Sequence, residues 1–344
     1  MSYERGLAAI NLEMPTEIPR TEYLDHPAYM KFLTGLNPND PVEGEEARRQ
    51  TYLKLDYDFM WLTTGWGLEQ GRSTWMGTAT YSEGQANVRG HVDGFRSSKE
   101  VLELNPVEEY GLPDLQEQAA VHQAELDNTR SVVSDAVIPG GIYNTVFTWA
   151  IKAFGWEMFM EAAVDDPVRF DQILEGFTEI SMRDVEAWLL TDMPVFLCHD
   201  DIVWSSGPVF HPDWYRKYIF PRYERLWAPI RAKGLKVIFC SDGDYTGFVD
   251  DLAAVGAEGF IFEPMTSLEY VAERYGQTHV IIGNMDCREL MKSREAIEAE
   301  IKRCYEIGRK LPGYFYAVGN HIPYNIPVEN VDYYMKLIEA YRKR

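Results

Sequence analysis

What most constrains this chain is a rhythm that begins near residue 134. From there to the end, short and fully apolar runs alternate with longer amphipathic stretches. The runs fall at 135–139, 194–199, 236–240, 259–262, 279–283 and 314–318, and helix-like stretches occupy 166–190, 212–233, 247–255, 268–275, 294–310 and 328–342. A strand that is apolar at successive positions must be covered on both faces, which is what helices do for a parallel sheet. One more run near 57–62 brings the count to seven, with room for one missed. No Gly-x-Gly-x-x-Gly turn points to a doubly wound sheet, so the pattern predicts an α/β fold, a (β/α)8 TIM barrel. We read 1–344 as a single domain, with 1–130 an N-terminal elaboration carrying the first strand and 131–344 the regular repeats. Within the elaboration, helical patterns at 43–55 and 115–130 flank a Gly-, Thr- and Ser-rich stretch at 63–90 whose alternation predicts hairpins.

Charge narrows the partners. Lys and Arg number 33 against 54 Asp and Glu, a net charge of −21. Nucleic acid and anionic membrane surfaces both require a basic footprint that this chain lacks. No run of about 18 apolar residues could span a bilayer. The first twenty residues contain no signal-peptide apolar core. Four scattered cysteines, Cys198, Cys240, Cys287 and Cys304, do not make a disulfide framework. A soluble, cytoplasmic protein is expected.

Barrel enzymes carry their chemistry on the loops that follow the C-terminal ends of strands. Here five consecutive runs end in polar groups: Cys198-His199-Asp200-Asp201, Cys240-Ser241-Asp242-Gly243-Asp244, Glu263-Pro264, Asn284-Met285-Asp286-Cys287-Arg288 and Gly319-Asn320-His321-Ile322-Pro323-Tyr324. Each has a plainer reading. Asp200, Asp201, Asp242 and Asp286 could cap the helices that follow, and Cys240 and Cys287 could be small buried hydrophobes. Cys304, inside a helical pattern, reads as structural. Glu263 follows Phe260-Ile261-Phe262, where an unpaired carboxylate is costly, so it needs a partner such as a metal, an Arg or a proton. As a metal site, Cys240 or Asp242 with Glu263 and one of Cys287 or His321 would give mixed sulfur, oxygen and nitrogen ligation, which suits Zn²⁺. No compact HExxH or CxxC pair supports it, so the expectation rests on barrel placement.

These residues also carry a family resemblance. Phe154-Gly155-Trp156-Glu157 with Asp166-Pro167, His199-Asp200-Asp201 with Ser206-Gly207-Pro208 and His211-Pro212-Asp213, Cys240-Ser241-Asp242-Gly243, Gly283-Asn284-Met285-Asp286, and Gly319-Asn320-His321-Ile322-Pro323 with Pro327-Val328-Glu329-Asn330 resemble the uroporphyrinogen decarboxylase superfamily. The opening Ile18-Pro19-Arg20-Thr21-Glu22 resembles its non-haem branch. The resemblance implies a (β/α)8 barrel with one of two activities. The decarboxylases hold a polycarboxylate tetrapyrrole partly through an Arg-Gln-Ala-Gly-Arg segment that is absent here, and such a substrate fits poorly in so acidic a chain.

The other branch, zinc-dependent methyltransferases, passes a methyl group to or from the cobalt of a separate corrinoid protein. Its thiol-activating members use a His-x-Cys pair, where this chain has Cys240-Ser241-Asp242, and a Cys after the last strand, where it has Asn320-His321. Glu263 stands where the similar cobalamin-independent methionine synthase places a Glu. The departures argue against a thiol substrate and imply an O-demethylase type, moving methyl from a small methylated compound, an aryl methyl ether foremost, to the cob(I)alamin of a partner. The implied roles are Cys240, Asp242, Glu263 and Cys287 for the metal and His321, His199, Asp200 and Asp201 for proton chemistry. Tyr143, Trp204, Asn284, Asn320 and Tyr324 would bind substrate. Trp149 is a weaker pocket candidate that reads better as core. The implied partners are a corrinoid-binding protein, the methylated substrate and, left open, a second copy of the chain. A metal-independent decarboxylase using Asp200 or Asp201 as its acid is the alternative, and a barrel that binds without catalysis is the third reading.

Overall fold

A computed structural model describes residues 1–61, 63, 71–74, 80–82, 85–87 and 94–344. Six strands form one parallel sheet: β1 (Gly140–Tyr143), β2 (Phe196–His199), β3 (Val237–Ser241), β4 (Gly259–Phe262), β5 (Val280–Ile282) and β6 (Tyr314–Phe315). They pair in chain order, so every connection is a crossover to the next parallel neighbour. Nearly every residue in them is buried, as the apolar runs required.

Two short segments close the sheet into a ring. Phe59 bridges in parallel to Val137, just ahead of β1, and Arg20 bridges in parallel to Tyr316, just past β6. The Asp58 N–H donates to the Arg20 carbonyl at 2.9 Å and joins the two. The ring therefore has eight members, and the eighth is the segment at Arg20 that the apolar pattern missed. Its signal is masked because Pro19, Arg20 and Thr21 do not read as a buried strand. Arg20 and Thr21 are nonetheless buried, and the Asp58 carboxylate at the base accepts from Arg5, Arg342 and the Arg20 N–H.

The interior is filled by Phe59, Val137, Val195, Leu197, Ile238, Cys240, Ile261, Val280, Ile282, Phe315 and Ala317. Ala9 and Ile10 of helix α1 (Tyr3–Ile10) join this cluster and plug the end of the barrel opposite the site. Helix α2 (Val146–Asp165) follows β1 and was not expected, because it is apolar all round and shows no amphipathic stripe. Within 63–90, Thr80–Ser82 pairs antiparallel with Gln85–Asn87, and the remainder of that expected hairpin region lies largely outside the described residues. No helix among the described residues is long and apolar enough to cross a membrane.

Candidate metal centre and active site

Side chains alternate along a strand, and that parity sorts the polar loop residues into two sets. Leu197, Ile238, Cys240 and Ile261 face the barrel interior, whereas Cys198, Phe239, Phe260 and Phe262 pack in the outer core. Carried past the strand ends, the same alternation places His199 and Asp201 in line with Leu197. It likewise sets Asp242 in line with Cys240 and Glu263 in line with Ile261. At the mouth, His199 Nε2 lies 3.1 Å from Asp201 Oδ1, which also accepts the Asp242 N–H at 2.9 Å. One donor atom each from His199, Asp201 and Asp242 lies within 4.8 Å of the other two. Among the described residues this is the group of His, Cys, Asp or Glu arranged to share an ion.

Neighbouring elements hold the trio. The Asp201 N–H donates to Thr148 Oγ1 of α2 at 2.9 Å. Glu263 Oε2 accepts the Gly243 N–H at 2.7 Å, and Glu263 Oε1 accepts from Asn320 Nδ2 at 3.0 Å. Gly243 has φ +84°, and an added Cβ there would lie 2.5 Å from the Trp204 carbonyl oxygen, so the turn carrying Asp242 requires glycine. Tyr143 meets His199 edge-on with ring centroids 4.4 Å apart.

The electrostatics favour a cation. Burial, together with the Asp201 and Glu263 carboxylates, pushes Asp242 up to about 7. Burial also works against the Asp201 carboxylate, but His199, the Asp242 N–H and Lys152 hold it below its ordinary value. Burial opposes a charged His199, yet Cys240 and Asp201 outweigh it and hold the imidazole well above its usual value. Nitrogen and oxygen donors crowded in this way fit a divalent ion, whose binding would release the proton shared by His199 and Asp201. Three protein ligands leave room for a further ligand, as in catalytic zinc sites.

The comparisons with known proteins point the same way as the fold. Residues 92–341 match the family model described as Uroporphyrinogen decarboxylase (URO-D). The chain belongs to the uroporphyrinogen decarboxylase family. A uroporphyrinogen decarboxylase of Thermus thermophilus is 27% identical over 168 residues, covering 49% of this chain and 48% of that protein. One from Geobacter sulfurreducens is 26% identical over 194 residues, covering 56% of each. The chain thus spans about half the length of the curated relatives it matches. A solved methyltransferase from Methanosarcina mazei superposes with a TM-score of 0.67 at 18% identity over 98% of both chains, which establishes the shared barrel fold.

Of the expected ligand set Cys240, Asp242, Glu263 and Cys287, the structure places Asp242 in the close-set group. Its two companions there are His199 and Asp201, which the sequence offered for proton chemistry. Cys240 is buried at 3% exposure, with burial raising its thiol despite its bond to His199. Cys287 is half-buried, and burial pushes its thiol up to about 11. Glu263 finds partners in the Gly243 and Asn320 amides.

Asp200 has the opposite parity and faces the helices, so it is not an acid at the mouth. It is 1% exposed and accepts from Thr145 Oγ1, the Phe147 and Thr148 N–H groups and the Tyr223 hydroxyl. It therefore caps α2 from a neighbouring strand. Asp286 caps the turn after it through the Arg288 N–H, as the plainer reading expected. Cys304 is buried in a helix.

The remaining expectations divide between mouth and scaffold. His321 Nδ1 lies 2.6 Å from Asn320 Oδ1, and since Asn320 Nδ2 already faces Glu263, Nδ1 carries the proton toward that oxygen. Burial lowers His321 below its ordinary value, against the pull of the Asp25 and Glu263 carboxylates. Asn284 is 1% exposed and bound to the Thr266 carbonyl and to Arg303, which makes it a brace between loops rather than a substrate contact. Trp204 is 48% exposed and meets Trp156 edge-on, while Tyr324 is half-buried just past Ile322–Pro323, which pairs in parallel with Leu24–Asp25. Trp149 is buried against Phe177 in the core. Thr148 and Lys152 were missed because they sit on α2, whose apolar character hid it.

Proposed function

We infer that this protein is a zinc-dependent methyltransferase that moves a methyl group from a small methylated compound, an aryl methyl ether foremost, to the cob(I)alamin of a corrinoid protein. The observation that carries the reading is the convergence of His199, Asp201 and Asp242 donors from adjacent strand ends. Membership of the family and the methyltransferase among its structural neighbours support it. Zn²⁺ held by the trio would supply Lewis acidity where negative charge develops on the leaving phenolate oxygen. Thr148 fixes the Asp201 loop, and Glu263 with Asn320 fixes the turn that presents Asp242. Tyr143, edge-on to His199, offers flat apolar surface for an aromatic ring beside the donors, and the exposed Trp204 with Trp156 offers more. A corrinoid bound to the partner would supply the nucleophile that accepts the methyl group, while the phenolate oxygen leaves on the side of His199, Asp201 and Asp242.

The test incubates zinc-loaded protein with reduced cob(I)alamin and a panel of methoxylated aromatics. We expect the methylcobalamin spectrum to appear, to vanish on chelation and to return with Zn²⁺. Full activity after chelation would contradict the reading. A second reading, decarboxylation of a polycarboxylate, is favoured by the relatives named uroporphyrinogen decarboxylase. Carbon dioxide release without metal or corrinoid would select it.

A further inference from the structure

The mouth of this barrel is crowded with like charge. Asp201, Asp242 and Glu263 stand together, and burial with its two carboxylate neighbours raises Asp242. Even a divalent ion leaves three carboxylates in excess by one. A neutral methyl ether would tolerate that field, but an anionic substrate would be turned away unless a cation stood beside the ion.

One does. Lys152 lies on α2 one helical turn beyond Thr148, the residue whose hydroxyl accepts the Asp201 N–H, so both project from the same helix face. Its ammonium sits over the Tyr143 ring, 5.1 Å from the centroid, and Tyr143 in turn is edge-on to His199. The side chain is half-buried, its charge acts on Asp201, and its backbone carbonyl is pinned by the N–H and hydroxyl of Thr74. A lysine on an acidic chain costs nothing when it is solvated. Here it is carried over an aromatic face toward the donor cluster, where it loses hydration.

We propose that Lys152 is a specificity-determining residue, which binds a carboxylate on the substrate and so selects methoxylated aromatic acids over neutral ethers. The proposal rests on the methyl-transfer reading for the identity of the ether. Its geometry is independent of that reading: the aromatic ring lies along Tyr143, with its carboxylate on the Lys152 ammonium and its ether oxygen toward His199, Asp201 and Asp242.

The experiment measures binding of 3-methoxybenzoate and of neutral 3-methoxybenzyl alcohol to the zinc-loaded protein by calorimetry, for wild type, Lys152→Met and Lys152→Arg. Wild type should prefer the acid. Lys152→Met should weaken the acid about tenfold or more while moving the alcohol less than about twofold, a charge-assisted contact being worth at least that much. Lys152→Arg should restore most of the difference. The same proteins are assayed for methyl transfer to cob(I)alamin. Binding of the acid through Lys152 without methyl transfer keeps this inference and sinks the methyl-transfer reading. Methyl transfer indifferent to Lys152→Met sinks this inference and keeps the reading. Equal weakening of both ligands, with zinc content reduced, would make Lys152 a support for Asp201 instead and overturn the proposal, as would a wild type that prefers the alcohol.

Discussion

Replacing Asp200 with Asn separates a structural carboxylate from a catalytic one. Its Oδ2 accepts from Thr145 Oγ1 at 2.5 Å, the Phe147 N–H at 3.1 Å and the Tyr223 hydroxyl at 2.6 Å, and its Oδ1 accepts the Thr148 N–H at 2.7 Å. An Asn placed with its oxygen at the three-donor side must turn its NH₂ toward the Thr148 N–H. One charge-assisted bond is lost, a buried donor faces another donor, and the other three bonds lose their ionic character. At about 1.5–3 kcal/mol for the first and 1–3 kcal/mol for the second, the cost is about 2.5–6 kcal/mol, centred near 4. With roughly 2 °C per kcal/mol for a chain of this size, Tm should fall by about 5–12 °C. Differential scanning calorimetry at fixed pH reads it, alongside the activity of the fraction still folded. A variant with unchanged Tm and abolished turnover would refute the capping argument and return Asp200 to the role of acid.

Other expectations follow from the same contacts. Asn320→Ala removes the amide that links Glu263 with the Asp242 turn and should weaken zinc about 10–100-fold, read by competition with a chromophoric chelator, while Tm changes little. Gly243→Ala should lower both Tm and zinc affinity, because the new Cβ collides with the Trp204 carbonyl in the turn that presents Asp242. Glu22 is fully buried, and despite bonds from Tyr334 and Val318 burial raises it from 4.5 to about 8. The folded state thus holds this proton more tightly than the unfolded chain, so the contribution of Glu22 to stability is fully present below pH 4.5 and is lost as pH rises through about 8. Denaturant titrations should show that decline in wild type and a flatter profile in Glu22→Gln.

The barrel was legible because its strands are apolar at consecutive positions, a pattern that only a doubly covered parallel sheet explains. The segment at Arg20 was not, since two of its buried residues are an arginine and a threonine whose burial depends on distant partners such as Asp58. At the site, all three gathered donors were among the residues singled out, Asp242 for the metal and His199 and Asp201 for proton chemistry. Sulfur drew the prediction to Cys240 and Cys287. Parity along the strands was the better guide, because Leu197 and Cys240 face inward and so bring the odd-numbered His199 and Asp201 against the even-numbered Asp242. The same parity turns Asp200 away, which a run of two aspartates conceals. Lys152 and Thr148 lay beyond sequence reasoning, since a largely apolar helix without a clear stripe does not reveal which face meets the mouth.

Metal content puts the central claim to its most direct test. Protein purified and dialysed against trace Zn²⁺ should carry a single ion per chain by mass spectrometry. Asp242→Asn and Asp201→Asn should lose it, and Cys240→Ala and Cys287→Ser should keep it. Retention in the aspartate variants with loss in the cysteine variants would contradict the account.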